Sequence, residues 1–545
     1  MTGQGSVAPA ARRIAKERFG FEHLHPGQRA AIESVLRHRD TLVVMPTGSG
    51  KSAIYQIAGL LTPGPTLVVS PLIALQRDQV ESLAAVRGAD AAEINSTLSE
   101  SARDETFADL KADDLEFLFL APEQFANAET LADIKDARPS LFVVDEAHCI
   151  SEWGHDFRPE YLRLGATIEQ LGHPTVLALT ATASPPVREE IVERLGMRDP
   201  EIVVSGFDRP NIWLGVESFE DEDDKREALL EHVIRGDKPG IVYAATRAHT
   251  EEVATALTER GVRAAAYHAG MKASERATIQ TAFMDDEIDV IVATTAFGMG
   301  IDKPNVRFVF HYDISDSVDS YYQEIGRAGR DGQEAQAILF YNPKDLGLRR
   351  FFAAGAGVDI DEAEQVVAAV KRRKRAVDPN RLAKQLDLSD TKLLRILHRL
   401  EEVDAINIRP DGKVTAGAEA ANPEAAAEDA AEANDRHRAF ARTRTEMMRG
   451  YAEVQDCRRE YLLNYFGEPF QKPCNYCDNC QAGIVIAEDH AHQPFPLDSR
   501  VVHQKWGEGL VVRYENDKMT VLFDAGGYRT LAIDFVLAMG LLKPA

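Results

Sequence analysis

A lysine among glycines, a paired acid, two spaced arginines and four clustered cysteines are the residues whose types and spacing could do chemistry. Thr47-Gly48-Ser49-Gly50-Lys51-Ser52 follows the apolar run 41–46 and opens a helical pattern. A phosphate-binding loop needs this strand, loop, helix context, because glycines let backbone N–H groups approach a phosphate. Thr47, Gly48, Ser49 and Gly50 are thus expected phosphate contacts, Lys51 the cation, and the Ser52 hydroxyl a ligand to Mg2+. Asp145-Glu146-Ala147-His148 closes the apolar strand SLFVV. A carboxylate there, Asp145, can hold Mg2+ together with Ser52, while Glu146 can orient or deprotonate the attacking water.

Downstream, Gln323-Glu324-Ile325-Gly326-Arg327-Ala328-Gly329-Arg330 places two arginines three residues apart, a spacing suited to one face of a helix. An arginine delivered from a second domain neutralises charge developing in phosphoryl transfer, worth roughly 10³ to 10⁵ in rate in GTPases. Each motif alone has a bland reading: a glycine turn, an acidic strand end, solvated arginines. Their combination points to phosphoryl transfer. Cys457, Cys474, Cys477 and Cys480 follow a C-x16-C-x2-C-x2-C pattern. Four thiolates close a structural zinc site and leave no position open for catalysis. Cys149 stands alone and reads as a small core residue.

The elements that must position these residues are legible as well. A chain of 545 residues predicts three or four domains. Strand candidates fall at 41–46, 65–71, 115–122, 140–147, 174–182, 240–245, 288–295 and 307–314. Continuous apolar runs separated by helical patterns predict buried parallel sheets in an α/β architecture. The acidic stretch ESFEDEDDK interrupts the alternation near residue 217, so two successive units are expected, 1–216 and 217–345. Beyond them the texture is helical. Leu393, Ile396, Leu397 and Leu400 share one helix face, Ser389 is a plausible N-cap, and an INIRPDGKV hairpin follows, which makes 346–414 winged-helix-like. Residues 415–435 hold six acidic residues, ten alanines and no basic residue, and read as a linker or an exposed helix. The zinc module is expected over 436–485. Short alternating strands over 495–545 predict a small β-barrel.

With 62 basic and 87 acidic residues the net charge is −25, which on its own lowers the odds of a nucleic-acid partner. Its distribution reverses that reading. Residues 371–410 carry eleven basic against six acidic residues, and 436–459 seven against three, with the acidic stretch between. Both basic segments are candidate phosphate contacts. No run of eighteen apolar residues predicts a membrane span, and the N-terminal stretch has no apolar core of a secretory signal, so a cytoplasmic, nucleoid-associated protein is expected.

The ordered motifs resemble the RecQ family of DNA helicases, in helicase superfamily 2. They are Phe19-Gly20 with Gln28, TGSGKS, SPLIALQRDQV from Ser70, DEAHCISEWGHDFRPEY from Asp145, LTATA from Leu179, FDRPN from Phe207, YHAGM from Tyr267, ATTAFGMGIDKPNVRFVFH from Ala293 and SYYQEIGRAGRDG from Ser320. The resemblance implies two tandem RecA-like doubly wound parallel-sheet lobes with ATP and Mg2+ in their cleft, and 3'-5' movement on single-stranded, tailed or forked DNA. It implies adenine recognition by Gln28, where His25 replaces the usual arginine, and catalytic roles for Lys51, Asp145, Glu146, Gln323, Arg327 and Arg330. The implied DNA contacts are Ser70, Trp153, His155, Phe157, Arg158 and His268, with Glu152 in place of the usual glutamine. CRREYLLNYFGE and PCNYCDNC resemble the family's zinc module, so Zn2+ is expected on the four cysteines. The wing-like segment precedes that module, whereas in the family it follows. VVHQKWGEGLVV resembles the SH3- or Tudor-like C-terminal domain of UvrD and PcrA helicases, which implies an RNA polymerase or repair-protein partner. Two alternatives stay open: an ATP-gated recruitment module with little unwinding, and an RNA helicase.

Overall fold

The computed structural model describes residues 7–545 apart from 72, 85, 87–88, 96–97, 113, 152–157, 299–300, 355–356, 374, 410–412, 486–492, 498, 516 and 525. Seven parallel strands, β1 (Thr41–Val44), β2 (Thr66–Val69), β3 (Ala91–Ile94), β4 (Phe117–Leu120), β5 (Leu141–Val144), β6 (Thr175–Thr180) and β7 (Glu201–Val204), make the first sheet. Their order is β3-β4-β2-β5-β6-β1-β7. The second sheet is also parallel, with β8 (Ile212–Ser218), β9 (Gly240–Tyr243), β10 (Ala264–Tyr267), β11 (Val290–Ala293), β12 (Phe308–His311) and β13 (Ala335–Tyr341) in the order β10-β11-β9-β12-β13-β8. Inner strands such as β1, β2 and β5 are buried along their whole length because helices cover both faces. In the first lobe β5, β6 and β1 are neighbours, so the loops at their carboxyl ends share one edge of the sheet. That edge is where open α/β sheets bind ligands.

All eight expected strands form. The boundary near residue 217 needs correction: β8 pairs in parallel with β13 over all seven of its residues, so the second lobe begins before the acidic stretch. That stretch caps a helix. The Asp221 carboxylate accepts from the N–H groups of Asp223 and Asp224, and three acids occupy the first turn of helix Glu222–Arg235. Negative charge there is favoured by the helix dipole.

After the second lobe come helix Asp345–Ala354, then three helices, Ile360–Lys371, Pro379–Leu386 and Asp390–Glu402, and a hairpin of β14 (Ile406–Ile408) and β15 (Val414–Ala416). This is the element order of a winged helix, and its core includes Leu393, Ile396, Leu397 and Leu400. Ser389 accepts from the N–H of Lys392 as the N-cap. Residues 415–435 are not a linker. Most of them form the first half of one 31-residue helix, Pro423–Glu453, whose second half belongs to the expected zinc module. Ala426, Ala427, Ala430 and Ala433 are buried, the first three in one core with Ala363, Val366 and Val370 of helix Ile360–Lys371. Glu424, Glu428, Asp429 and Glu432 stay exposed.

The C-terminal unit is a five-stranded antiparallel sheet of β16 (Arg500–His503), β17 (Gly507–Glu515), β18 (Lys518–Phe523), β19 (Gly527–Ala532) and β20 (Leu542–Pro544), in the order β19-β18-β17-β16-β20. Among the described residues β19 and β20 do not pair, so in place of the expected small β-barrel the strands form an open antiparallel sheet. Helix Ile533–Met539 carries the chain between the two edges. The unit docks through Tyr528, whose ring lies 6.0 Å from Phe440 and 5.6 Å from Tyr465, and through Arg513, 3.8 Å over the Tyr461 ring. No helix among the described residues is long and apolar enough to cross a membrane.

Burial of the alanine face has a measurable consequence. Ala430→Leu should destabilise the chain by about 1–3 kcal/mol through overpacking. Chemical denaturation checks this, and an unchanged midpoint would mean that the helix is not packed there.

Candidate active site and metal centre

The phosphate loop leaves β1 and enters helix Lys51–Gly59 through Gly50, at φ 72°, with Gly48 at φ 79°. Both are left-handed values that favour glycine. Lys51 Nζ donates to the carbonyls of Met45 and Pro46, at 3.1 and 3.3 Å. Burial holds this ammonium below its usual pKa against the opposing pull of Glu146 and Asp145. Across the site, burial and then the neighbouring Glu146 raise the Asp145 carboxyl to about 7, with Lys51 opposing. Asp145 Oδ1 accepts from the Glu146 N–H at 3.0 Å. Glu146 Oε2 lies 3.4 Å from His148 Nδ1, which in turn is 2.8 Å from the hydroxyl of Thr180 at the end of β6. His148, which closes the DEAH motif, is therefore bonded to the LTATA segment, with Glu146 close beside it. A half-buried ammonium facing two half-buried acids fits a site for a phosphate chain with Mg2+ between them, and Ser52 and Asp145 would hold that ion.

Gln28 is placed differently from an adenine reader with a free amide. Its Oε1 accepts from the His25 N–H at 2.9 Å, and its Nε2 donates to the carbonyls of Ser49 and Gly50 at 2.9 and 3.1 Å. It braces the phosphate loop from behind. A cleft of about 420 Å³ runs between the lobes, lined by His25, Thr47 and Gly48 on one side and by Arg209, Asn211 and Arg330 on the other.

The two arginines do not share a helix face. Helix Val318–Ile325, which carries the half-buried Gln323, stops short of them, and a turn over 326–330 holds both. Gly329, at φ 55°, is part of that turn. Arg330 reaches the first lobe: a Cβ on Gly48 would sit 3.3 Å from Arg330 Cγ, so the glycine makes room for it. Its Nη1 donates to the Ile301 carbonyl at 2.8 Å and to Asp302 Oδ1 at 2.6 Å. Arg327 is buried deeper, at 4% exposure, beside Gly298. The turn is held by Arg209, which donates to the carbonyls of Gly326, Ala328 and Gly329 at 3.0, 2.7 and 3.1 Å. Asn211 adds bonds to the carbonyls of Gly329 and Gln333, both at 2.8 Å. Arg209, Asn211 and Thr180 lie inside the motifs quoted above, yet their roles were not visible in sequence. Polar residues crowded into a short motif were the available signal.

Of the expected DNA contacts, Trp153, His155, Phe157 and the substituted Glu152 lie outside the described residues. Arg158 donates from Nη1 to the Pro71 carbonyl at 2.9 Å. Ser70 and His268 are both buried, with His268 Nε2 3.0 Å from Glu251 Oε1. Their motifs end strands, which draws these side chains into the lobes. The second basic segment needs a correction. Arg458 and Arg459 are buried, and Arg444 half-buried, in ion pairs with Asp478, Asp208 and Asp319, leaving fewer guanidinium groups for phosphates.

The sulfur atoms of Cys457, Cys474, Cys477 and Cys480 lie within 4.8 Å of one another, with Cys474 and Cys480 3.7 Å apart. Tetrahedral zinc with bonds of about 2.3 Å requires sulfurs roughly 3.8 Å apart, so the donor set fits. Cys149 is buried in the first lobe.

A two-lobed parallel-sheet core, with a phosphate loop and acid pair on one lobe and arginines entering from the other, defines a helicase-type ATPase motor. Family models agree: "DEAD/DEAH box helicase" matches residues 25–191, "Helicase conserved C-terminal domain" 224–332 and "RecQ zinc-binding" 421–481. The "Probable ATP-dependent DNA helicase RecS" of Bacillus subtilis is 34% identical over 492 residues, covering 88% of this chain and 94% of that protein. The chain belongs to the RecQ family of ATP-dependent DNA helicases. It is also 37% identical to the "ATP-dependent DNA helicase RecQ" of Pasteurella multocida over 85% of its length and 36% identical to that of Haemophilus influenzae over 87%. It spans only 61% and 64% of those two relatives. Among solved structures, a Mycobacterium smegmatis helicase Lhr bound to ssDNA and AMP-PNP matches with TM-score 0.52 at 20% identity, over 81% of this chain and 62% of that one. The DNA-bound DUF1998 helicase MrfA gives 0.53 at 18%, over 76% and 60%. These two likenesses show the shared fold.

Two outcomes follow from the geometry. Because Asp145 must be a carboxylate to hold Mg2+, apparent Mg2+ affinity should rise with pH up to about 7 and then level off, with proton release on binding below that pH. Calorimetry in buffers of different ionisation enthalpy checks this, and pH-independent affinity would contradict it. Removing zinc by chelation should lower the Tm by on the order of 10 °C. Differential scanning fluorimetry beside a zinc assay reads it.

Proposed function

We propose that this chain is an ATP-driven motor that moves 3'-5' on single-stranded DNA and unwinds tailed or forked duplexes, acting on nucleoid DNA in the cytoplasm. The observation that carries the reading is the seat of Arg330, delivered by the second lobe directly over Gly48 of the phosphate loop. Amides of residues 47–52 and Lys51 would bind the phosphates. Glu146 would take the proton of the attacking water, and Arg330 with Arg327 would offset charge developing at the transferred phosphoryl group. Mg2+, when bound, supplies further charge neutralisation at the phosphates. The cleft is complete only when both lobes contribute, so hydrolysis and release would let them part. Alternating closure and opening of two lobes on one strand is what movement requires. The polarity and the DNA substrate rest on the family.

A second reading, recruitment of an RNA polymerase or repair protein with little unwinding, is favoured by Phe535, Leu537 and Met539, which are 60%, 55% and 62% exposed on the C-terminal helix. Paired assays separate the two. The motor reading expects ATPase activity stimulated by single-stranded DNA, strand displacement on a 3'-tailed duplex, and loss of both in Lys51→Ala. Vigorous hydrolysis without displacement would favour recruitment, and stronger stimulation by RNA would reassign the substrate.

A further inference from the structure

We infer that Arg459, two residues beyond the first cysteine of the metal cluster, is a positioning residue for the arginine turn, so that the zinc module governs the rate of ATP hydrolysis. The inference rests on reading Arg330 as the residue that completes the ATPase site. The Arg459 side chain is 6% exposed and serves three acceptors on one short segment: Asp208 Oδ1, the Arg209 carbonyl at 2.7 Å and the Ile212 carbonyl at 2.7 Å. A guanidinium presents its donors in a rigid fork, so it fixes that backbone in place and direction.

The Arg209 side chain leaves the same segment and makes its three bonds to the carbonyls of the arginine turn. Two guanidinium groups in series therefore connect the helix that follows Cys457 to the turn bearing Arg327 and Arg330. A second clamp steadies the start of the segment. Phe466 stacks on Phe207 with ring centroids 4.7 Å apart, and Glu468 accepts from the Phe207 N–H at 2.8 Å. Arg459 itself does not line the nucleotide cleft. Its loss would leave nucleotide contacts in place and let the turn drift, and a displacement near 1 Å in a catalytic group can cost about 10²-fold in rate.

The test uses the full chain loaded with zinc, at saturating single-stranded DNA. Arg330→Ala alone should lower kcat by roughly 10³-fold or more. Arg459→Ala should lower kcat by about 10²-fold, with KM for ATP within about twofold and zinc content unchanged. In the Arg330→Ala background, adding Arg459→Ala should cost nothing further, because the residue it positions is gone. Multiplicative losses in the double variant, or a raised KM with kcat unchanged, would overturn the inference. An unchanged kcat in Arg330→Ala would instead refute the reading on which it rests. If Arg459→Ala loses zinc, Asp208→Ala runs the same cycle from the other side of the contact, removing an Arg459 partner without touching the module, and is judged by the same criteria.

Discussion

The segment from Phe207 to Ile212 must join two rigid sheets and also hold the groups that pass between them. The physical problem is one of unpaired carbonyls. A helix leaves its last four C=O groups without intrahelical partners, and when that end is buried something else must donate to them. Helix Val318–Ile325 ends in a turn whose N–H groups at Gly326, Arg327 and Ala328 donate to the carbonyls of Tyr322, Glu324 and Ile325, and Arg209 in turn donates to the turn's own carbonyls at Gly326, Ala328 and Gly329. Burial holds the Arg209 guanidinium below its ordinary pKa, with Tyr322 opposing, yet a guanidinium stays protonated, so the donors are permanent. The arginine turn is thus held by a charge that cannot be titrated away under physiological conditions.

The same constraint explains why the zinc module is not an appendage. Tyr451, Cys457, Tyr461 and Phe466 belong to one apolar core with Phe207, Tyr321 and Tyr322. The Tyr321 hydroxyl lies 3.2 Å from that of Tyr451, and Asn479 donates to the carbonyls of Val454 and Asp456 at 2.8 Å. Folding free energy supplied by zinc binding at the four cysteines would be spread through this shared core. The second lobe and the metal site are in that sense one folding unit, although more than a hundred residues of chain separate their strands from the cysteines.

Much of the motor was legible in sequence because its information is local. A fully buried parallel strand must be apolar along its length, and a phosphate loop must carry glycine where φ is positive, so eight strands and the Lys51 loop could be read directly. The strands that escaped detection show where this fails. β3, β7, β8 and β10 are sheet edges, with one side half exposed, and AAEI or EIVV carries no continuous apolar signature, whereas the missed inner strand β13 is buried except at Gln336, which interrupts its apolar run. The alanine helix failed for a different reason. Small side chains are low in hydrophobicity but allow close packing, so residues 423–435 looked solvated while one face was a core. Positional roles such as that of Arg209 are not local at all, because its partners lie more than a hundred residues away.

Charge is the property that changed most between sequence and structure. A count of arginines over 436–459 treats every guanidinium as available to a phosphate. Three of the seven are spent on carboxylates and carbonyls, and for Arg458 and Arg459, which are buried, removing the partner would strand a charge in a low-dielectric interior. Net charge along a segment therefore overstates its attraction for DNA whenever the segment also packs. The exposed members, such as Arg436 and Arg442 on the long helix, still carry a long-range field. Buried arginines set the geometry of the motor, and the exposed ones are left to attract the strand it would move along.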